Sequence, residues 1–477
     1  MDGDPLVRLV FTRALAAIYA IAFVAALNQF RALLGERGLL PVPAFLSRTS
    51  FWETPSVFHL HYSDRFFVAV AGAGLALAGA ILFGALDLLP WWAFCLGWLA
   101  MWALYLSIVN VGQDFYAFGW ESMLLEAGFF AAFLGPAHLQ APIIPILALR
   151  WMLFRTEIGA GLIKLRGDRC WRDLTCLYYH HETQPMPNPL SARIHHLPRF
   201  MLRGGVVFSH FVQVVVPFGL FLPQPIPTIA AILIAIHQLA LIVGGNYSWL
   251  NWLTVVLAVT GLELGDRALD PRPIAFEVTL WLLLTLTLAL SVRPALNLLS
   301  KDQAMNRSWN PFHLVCAYGA FGAVTKERLE VVIEGTRSTS PDDDAVWEAY
   351  EFKGKPGDPR RRPPQVAPYH LRLDWLMWFL PFSVRIGRAG LLSVMQQWWF
   401  LRLVEKLLEG DLPTRRLLSR RSPFADAPPA LVRASLYRYQ LASPEEHRAT
   451  GQWWRVESVG LYLSPMSRRD HAVRVAG

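Results

Sequence analysis

Apolar residues fill nine long stretches before residue 293, and then give way to shorter runs that alternate with polar ones. The long stretches cover roughly 10–30, 66–89, 91–112, 118–136, 141–164, 205–222, 226–244, 247–264 and 273–292. A helix needs about 20 mostly apolar residues to cross the hydrocarbon of a bilayer. Proline and glycine mark the breaks, at Pro90, Gly135, Pro136 and Pro223 to Pro227. The pattern predicts a polytopic α-helical membrane domain of about nine spans over residues 1–300. Polar loops interrupt it at 31–65 and 165–204. The first stretch follows Arg8 and Arg13 and lacks a small-residue cleavage site, so it is expected to stay as a helix.

After residue 300 the period changes. RLEVVIEG (328–335), WEAYEFKG (347–354) and YHLRLDWLMWF (369–379) read as strands. LVRASLYRYQL (431–441) and WWRVESVGLYL (453–463) read as a strand pair, and STSPDDDAV (338–346) as a solvated loop. FLRLVEKLLEG (400–410) reads as an amphipathic helix stopped by Gly410. Residues 301–477 are therefore expected to form a β-rich soluble domain.

Composition agrees. Of the 477 residues, 54% are hydrophobic and 17% charged, against about 25% charged in soluble domains. The net charge is +8, most of it after residue 300, as in RRRP (360–363) and RRLLSRR (415–421). Beside so many spans, the basic excess fits lipid headgroups as partners and not nucleic acid. Cys95 lies in a span as a small apolar residue. Cys170 and Cys176 share one loop and close a disulfide if it faces an oxidising compartment. Their spacing is not that of a redox or zinc motif.

Ionisable residues in spans cost roughly +2.5 to +3.5 kcal/mol each at the bilayer centre, so they need partners or a purpose. One stretch carries Asp114, Glu121 and Glu126. A second carries Arg150, Arg155, Glu157, Lys164, Arg166 and Asp168, and a third Asn246, Ser248 and Asn251. Arg150, Glu157 and Lys164 recur every seven residues and share one helix face. Glu121 and Glu126 are expected to face that stripe from the neighbouring helix. Two purposes compete: ion pairs that lock helices together, or a desolvated Lys164 acting as a base, tuned by Glu121, Glu126 or Glu157.

Other motifs are mute or structural. His180-His181 and His195-His196 lack ligand spacing, so no metal and no cofactor is expected. His210 and His237 read as hydrogen-bonded core residues. GAGL (159–162) suits close helix packing and not phosphate binding. QPMPNPL (184–190) must be a stiff extended loop.

Several stretches together resemble the lipase maturation factor family. They are FGWESMLLEAGF (118–129), LIKLRGDRCWRDLTCLYYHHETQPMPNPLS (162–191), NYSWLNWLTV (246–255), NPFHLVCAYGAFGAVTKERLEVVIEGT (310–336), YEFKGKPGDPRRRPPQVAPYHLRLDWLMWF (350–379) and FLRLVEKLLEGD (400–411). The likeness runs over nearly all of the chain after about residue 110. Before that it rests on hydropathy and on GLLPV (38–42). The resemblance implies a polytopic membrane protein, resident in the endoplasmic reticulum in animals, that assists folding and assembly of secreted homodimeric lipases. It implies that residues 305–477 are extracytoplasmic, with the 165–204 loop on the same side and a Cys170–Cys176 disulfide feasible. The loop's Arg166, Arg169, Arg172, Arg193, Arg199 and Arg203 point the other way on the positive-inside rule.

The chain ends in HAVRVAG, without an endoplasmic-reticulum retention signal, and is rich in alanine and arginine, as expected of a bacterial homologue in a plasma membrane. AGLIKLRGDRCW (160–171) also resembles a stretch of the vitamin K-dependent carboxylase superfamily, whose catalytic lysine matches Lys164. The first reading is thus a chaperone-like maturation factor without enzymatic activity, its clients exported proteins and, by family, lipases. Its expected loop residues are Arg166, Asp168, Cys170, Trp171, Cys176, His180, His181 and Glu182, and its expected client surface Trp375, Trp378, Trp453 and Trp454. The alternative is a carboxylase-like membrane enzyme using Lys164 on a lipid-soluble substrate. The oligomeric state is left open.

Overall fold

The apolar stretches fold as helices in the computed structural model, which describes residues 2–265, 268–342, 344–387, 390–394 and 397–468. The terminal HAVRVAG lies outside the described residues. Among the described residues, six helices are long and apolar enough to cross a membrane: Pro5–Leu33, Asp64–Leu82, Trp91–Val111, Arg199–Phe221, Ile226–Gly244 and Ile274–Leu299. The other three expected spans are also helical, but differ in kind. Gly119–Ala131 and Leu250–Ala258 have only 13 and 9 residues. Ile143–Arg166 has 24 residues but carries five charges. Its neighbours bury Glu157, Arg155 and Lys164. Among the described residues, six apolar helices of membrane-spanning length thus stand with a charged seventh, which packs on Arg199–Phe221 and Ile274–Leu299, and with two short ones.

One end of the bundle is tied by arginines to backbone oxygens. Arg8 donates to the carbonyls of Leu139 (2.8 Å) and Ala137 (2.9 Å). Arg13 pairs with Asp87. Asp4 caps the first helix and accepts from Gly265 N at 2.9 Å. The 165–204 loop sits at the opposite end and is largely helical, with short helices Arg169–Arg172, Leu177–Thr183 and Ser191–His195. Between the last two, QPMPNPL is non-helical and mostly buried, because proline removes donors that a helix would need.

The C-terminal part holds an antiparallel sheet of four strands in the order Glu348–Ala349, Arg328–Thr336, Leu431–Leu441 and Trp454–Ser467. Val331 stands opposite Leu436, and Leu441 opposite Trp454. Trp398–Glu409 is the expected amphipathic helix: Trp399, Phe400, Leu403, Val404, Leu407 and Leu408 are buried. Gly410 ends it at φ +72°, a left-handed conformation that glycine adopts without a Cβ clash.

Two strand expectations fail for physical reasons. YHLRLDWLMWF is not a strand; Arg372–Phe379 is a helix buried on almost every side. Its alternation of polar and apolar residues misled because Arg372 and Asp374 are polar yet buried, each with partners of its own. WEAYEFKG keeps only Glu348–Ala349 in the sheet. Asp374 draws the amides of Gly354 (2.6 Å) and Lys355 (3.1 Å) out of the ladder. The region is therefore β-containing with substantial helix, and less β-rich than the pattern implied.

An irregular strap, residues 310–322, joins the two parts and crosses the charged helix Ile143–Arg166. The approach is close. A Cβ on Gly159 would lie 2.1 Å from Tyr318 O, and one on Gly167 2.3 Å from Gly322 O. Gly159→Ala should therefore lower stability by about 1–3 kcal/mol, read by thermal unfolding in detergent. Gly204→Ala meets open space and should be neutral or stabilising by up to about 1 kcal/mol. Equal effects at the two positions would contradict the strap's close contact.

Candidate functional site

The charged helix does not build a single ladder of opposite charges. Arg150 turns to backbone oxygens, donating to Thr260 O at 2.8 Å and Leu220 O at 3.2 Å. Glu126 pairs with Arg155, a residue outside the seven-residue stripe. Its Oε2 also accepts from Cys316 N (2.8 Å) and the Tyr318 hydroxyl (2.7 Å) on the strap. Arg155 donates in turn to Cys316 O.

Glu121 lies elsewhere. Its Oε1 takes Arg372 Nη1 at 2.7 Å, and its Oε2 the Tyr105 hydroxyl at 2.5 Å. Arg372 also donates to Phe115 O at 2.8 Å and stacks over Tyr116, 3.4 Å from the ring centroid. Both carboxylates thus serve to bolt the chain after residue 310 onto the membrane helices. They are not partners of Lys164, which corrects the expectation that either would tune it. Arg372 and His370, whose Nδ1 lies 3.5 Å from Glu121 Oε1, were missed in the sequence because they come from a segment some 250 residues away, and Tyr105 because it reads as one more aromatic ring of an apolar span.

Lys164 sits in a separate pocket. Its Nζ donates to Gln213 Oε1 at 2.7 Å and lies 4.7 Å from the centroid of Trp171. Ser209 Oγ is 3.4 Å away. Glu157, two turns below, accepts from Gln238 at 2.7 Å, and Gln238 in turn accepts from Asn251 at 2.5 Å. Gln213 and Gln238 were not anticipated either. Glu157, Lys164, His181, His237 and Asn251 line one cavity of about 370 Å³. A second, mostly apolar chamber of about 590 Å³ lies alongside, lined by Met123, Tyr318, Trp375, Trp378 and Phe382. Thr156, Ala160, His180 and Phe321 border both.

The polar loop is held, not free. Cys170 and Cys176 are joined by a disulfide. Asp168 caps the next helix through Cys170 N (3.0 Å), and its own amide donates to Gly322 O (2.9 Å). Trp171 Nε1 donates to Phe321 O at 2.8 Å. Arg166 donates to Gln303 (2.8 Å) and Leu298 O (2.9 Å). His180 meets the Tyr247 hydroxyl at 2.8 Å. Glu182 accepts from Leu441 N at 2.7 Å, beside His195 at 3.8 Å. Arg328 clamps the carbonyls of Glu182 (3.0 Å), Gln184 (2.5 Å) and Pro185 (3.0 Å). Asn246 bridges Pro364 O (2.9 Å) to Val366 N (2.8 Å). So the loop packs under the C-terminal part as one body.

The expected aromatic surface needs correction. Trp375 and Trp454 are only 3% and 1% exposed and belong to the core. Trp378 is half-buried and donates to Thr183 O at 3.0 Å. Trp453 is half-buried against His447. The large exposed rings lie instead at Phe379, Phe382 and Trp398. Among the described residues, no group of three or more His, Cys, Asp or Glu side chains is gathered to hold a metal.

Two family models match the chain: the lipase maturation factor transmembrane domain over residues 6–269, and the lipase maturation factor C-terminal domain over 314–464. The chain is 41% identical to lipase maturation factor 1 of Homo sapiens, over 98% of this chain and 88% of that protein. It is 39% identical to lipase maturation factor 1 of Bos taurus, over 98% and 90%. With lipase maturation factor 2 of Homo sapiens the identity is 30%, over 98% and 84%. No solved structure matches.

Burial at the joint makes stability depend on pH. It pushes His181, His313 and His370 down to about 4. Unfolded, each binds a proton below about 6.5, which the folded state refuses. Stability is therefore complete above pH 7 and falls as the pH drops from 6.5 towards 4. Each fully depressed histidine contributes up to about 1.4 kcal/mol per unit. Melting temperatures in detergent should fall steadily between pH 7 and 5; a flat profile would show these rings to be solvated.

Proposed function

Since the chain belongs to the lipase maturation factor family, we propose that this integral membrane protein is a maturation factor for exported proteins, lipases among them. The observation that carries the reading is the joint itself. The polar loop, the strap and the four-stranded sheet are bolted to the membrane helices by buried ion pairs and backbone clamps. A rigid platform of this kind holds a partly folded chain next to the bilayer without losing ordering entropy on each encounter. Phe379, Phe382 and Trp398 give it exposed apolar rings.

The platform faces away from the cytosol in this reading. Support comes from the Cys170–Cys176 disulfide, because such bonds persist in oxidising compartments. The same loop touches the strap through Trp171 and Asp168, so loop and sheet share a side. The loop arginines that argue otherwise are in part engaged: Arg166 caps backbone and Arg169 pairs with Asp173.

In cells deleted for the gene, the specific activity of a secreted lipase should fall several-fold at unchanged transcript level, and the wild-type chain should restore it. Unchanged lipase activity and secretion would overturn the role. Topology is tested separately. Thr339 is exposed, so Thr339→Cys should react with a membrane-impermeant maleimide in sealed right-side-out vesicles. Labelling only after lysis would place the sheet in the cytosol.

A further inference from the structure

We propose that the cavity around Glu157 and Lys164 binds a neutral, hydroxyl-bearing, single-chain amphiphile that enters from the bilayer. This goes beyond the maturation role and does not rest on it.

The charge of the cavity selects a neutral ligand. Lys164 and Glu157 line it as one buried amine and one buried carboxyl, and among the described residues neither is in salt-bridge contact with another charged side chain. An anionic headgroup would bring a second negative charge beside Glu157, and a cationic one a second positive charge beside Lys164. Either is expensive where water is scarce.

The unmet hydrogen bonds select hydroxyls. Among the described residues, Glu157 Oε2 and Asn251 Oδ1 are buried acceptors with no donor in hydrogen-bond geometry. His237 Nδ1 is also without a partner. These side chains are 0%, 4% and 4% exposed. A buried acceptor left unmatched costs about 1–3 kcal/mol. Carboxylates and phosphates offer further acceptors, whereas a diol head offers donors to Glu157 and Asn251 together with oxygens for Lys164.

The walls select a chain. Leu177, Leu202, Phe208 and Leu241 surround the polar floor. Past Ala160 and Phe321, the neighbouring chamber of about 590 Å³ is lined by Met123, Trp375, Phe379 and Phe382. The proposed entry from lipid lies where the helices Arg199–Val214 and Ile226–Gly244 flank the cavity. Met201 and Val243 line it there and are exposed on those apolar helices.

The test uses the full-length protein in nanodiscs and a monooleoylglycerol carrying a diazirine in its acyl chain. Cross-links located by mass spectrometry should fall on lining residues such as Met201 and Phe208. Unlabelled monooleoylglycerol should compete at least tenfold better than oleate. Ala160→Phe, which puts a ring at the wall shared by both chambers, should remove the labelling. Glu157→Gln replaces a double acceptor by a mixed group and should weaken labelling at least fivefold; it also keeps the test alive should the bulkier variant fail to fold. Oleate competing as well as the glycerol ester would overturn the neutral-headgroup claim. Labelling no denser than on the lipid-facing Trp281 and Leu282, or labelling that survives Ala160→Phe in folded protein, would overturn the site, leaving water as the occupant.

Discussion

Glu126 and Arg155 sit out of water inside a bundle of apolar helices, and much of the architecture serves to keep them paired. A lone charge there would be costly enough to drive the fold elsewhere. The strap lies across the pair, and Cys316 and Tyr318 supply further hydrogen bonds to it. The buried pair thus couples the membrane part to the docked C-terminal part. Glu121 repeats the device with Arg372 from a helix some 250 residues downstream in the chain. Arg13–Asp87 and Glu126–Arg155 pair within the membrane part, whereas Glu121 is paired across to the C-terminal part.

That arrangement explains the concentration of polar residues at 158–189. The stretch is the floor on which the C-terminal part stands. Its proline run lacks donors to satisfy its own carbonyls, and Arg328 reaches down from the first long strand to fill the gap. The disulfide, the Asp168 cap and the clamped carbonyls all lower the freedom of a segment that would otherwise be a loose loop. Lys164 stands apart from these ion pairs, beside a cavity with unmet acceptors, and that is why the cavity invites a ligand.

Much of the fold was legible in the sequence because hydropathy and length act locally. Among the described residues, six of the apolar stretches became helices long and apolar enough to span a membrane, and the expected strands Arg328–Thr336, Leu431–Leu441 and Trp454–Ser467 formed one sheet. What was hidden depended on partners far away. Arg372 and Asp374 gave a strand-like rhythm to a buried helix, since a charged side chain with a buried partner looks from its sequence like one bound for solvent. Seven-residue spacing placed Arg150, Glu157 and Lys164 on one face, but it could not say that each would find a different neighbour. Trp375 and Trp454 illustrate the same limit, because an aromatic ring reads alike whether it meets solvent or core.

The dependence of the strap on the buried pair is the central claim. The most direct measurement is amide hydrogen exchange over residues 312–322, comparing the wild-type chain with Glu126→Leu and with the double variant Glu126→Leu/Arg155→Met in detergent. The account predicts exchange at least tenfold faster in the single variant, about 1.4 kcal/mol of lost protection, with part of it recovered in the double variant, where no unpaired charge remains. Unchanged exchange across the strap in a folded Glu126→Leu protein would contradict it.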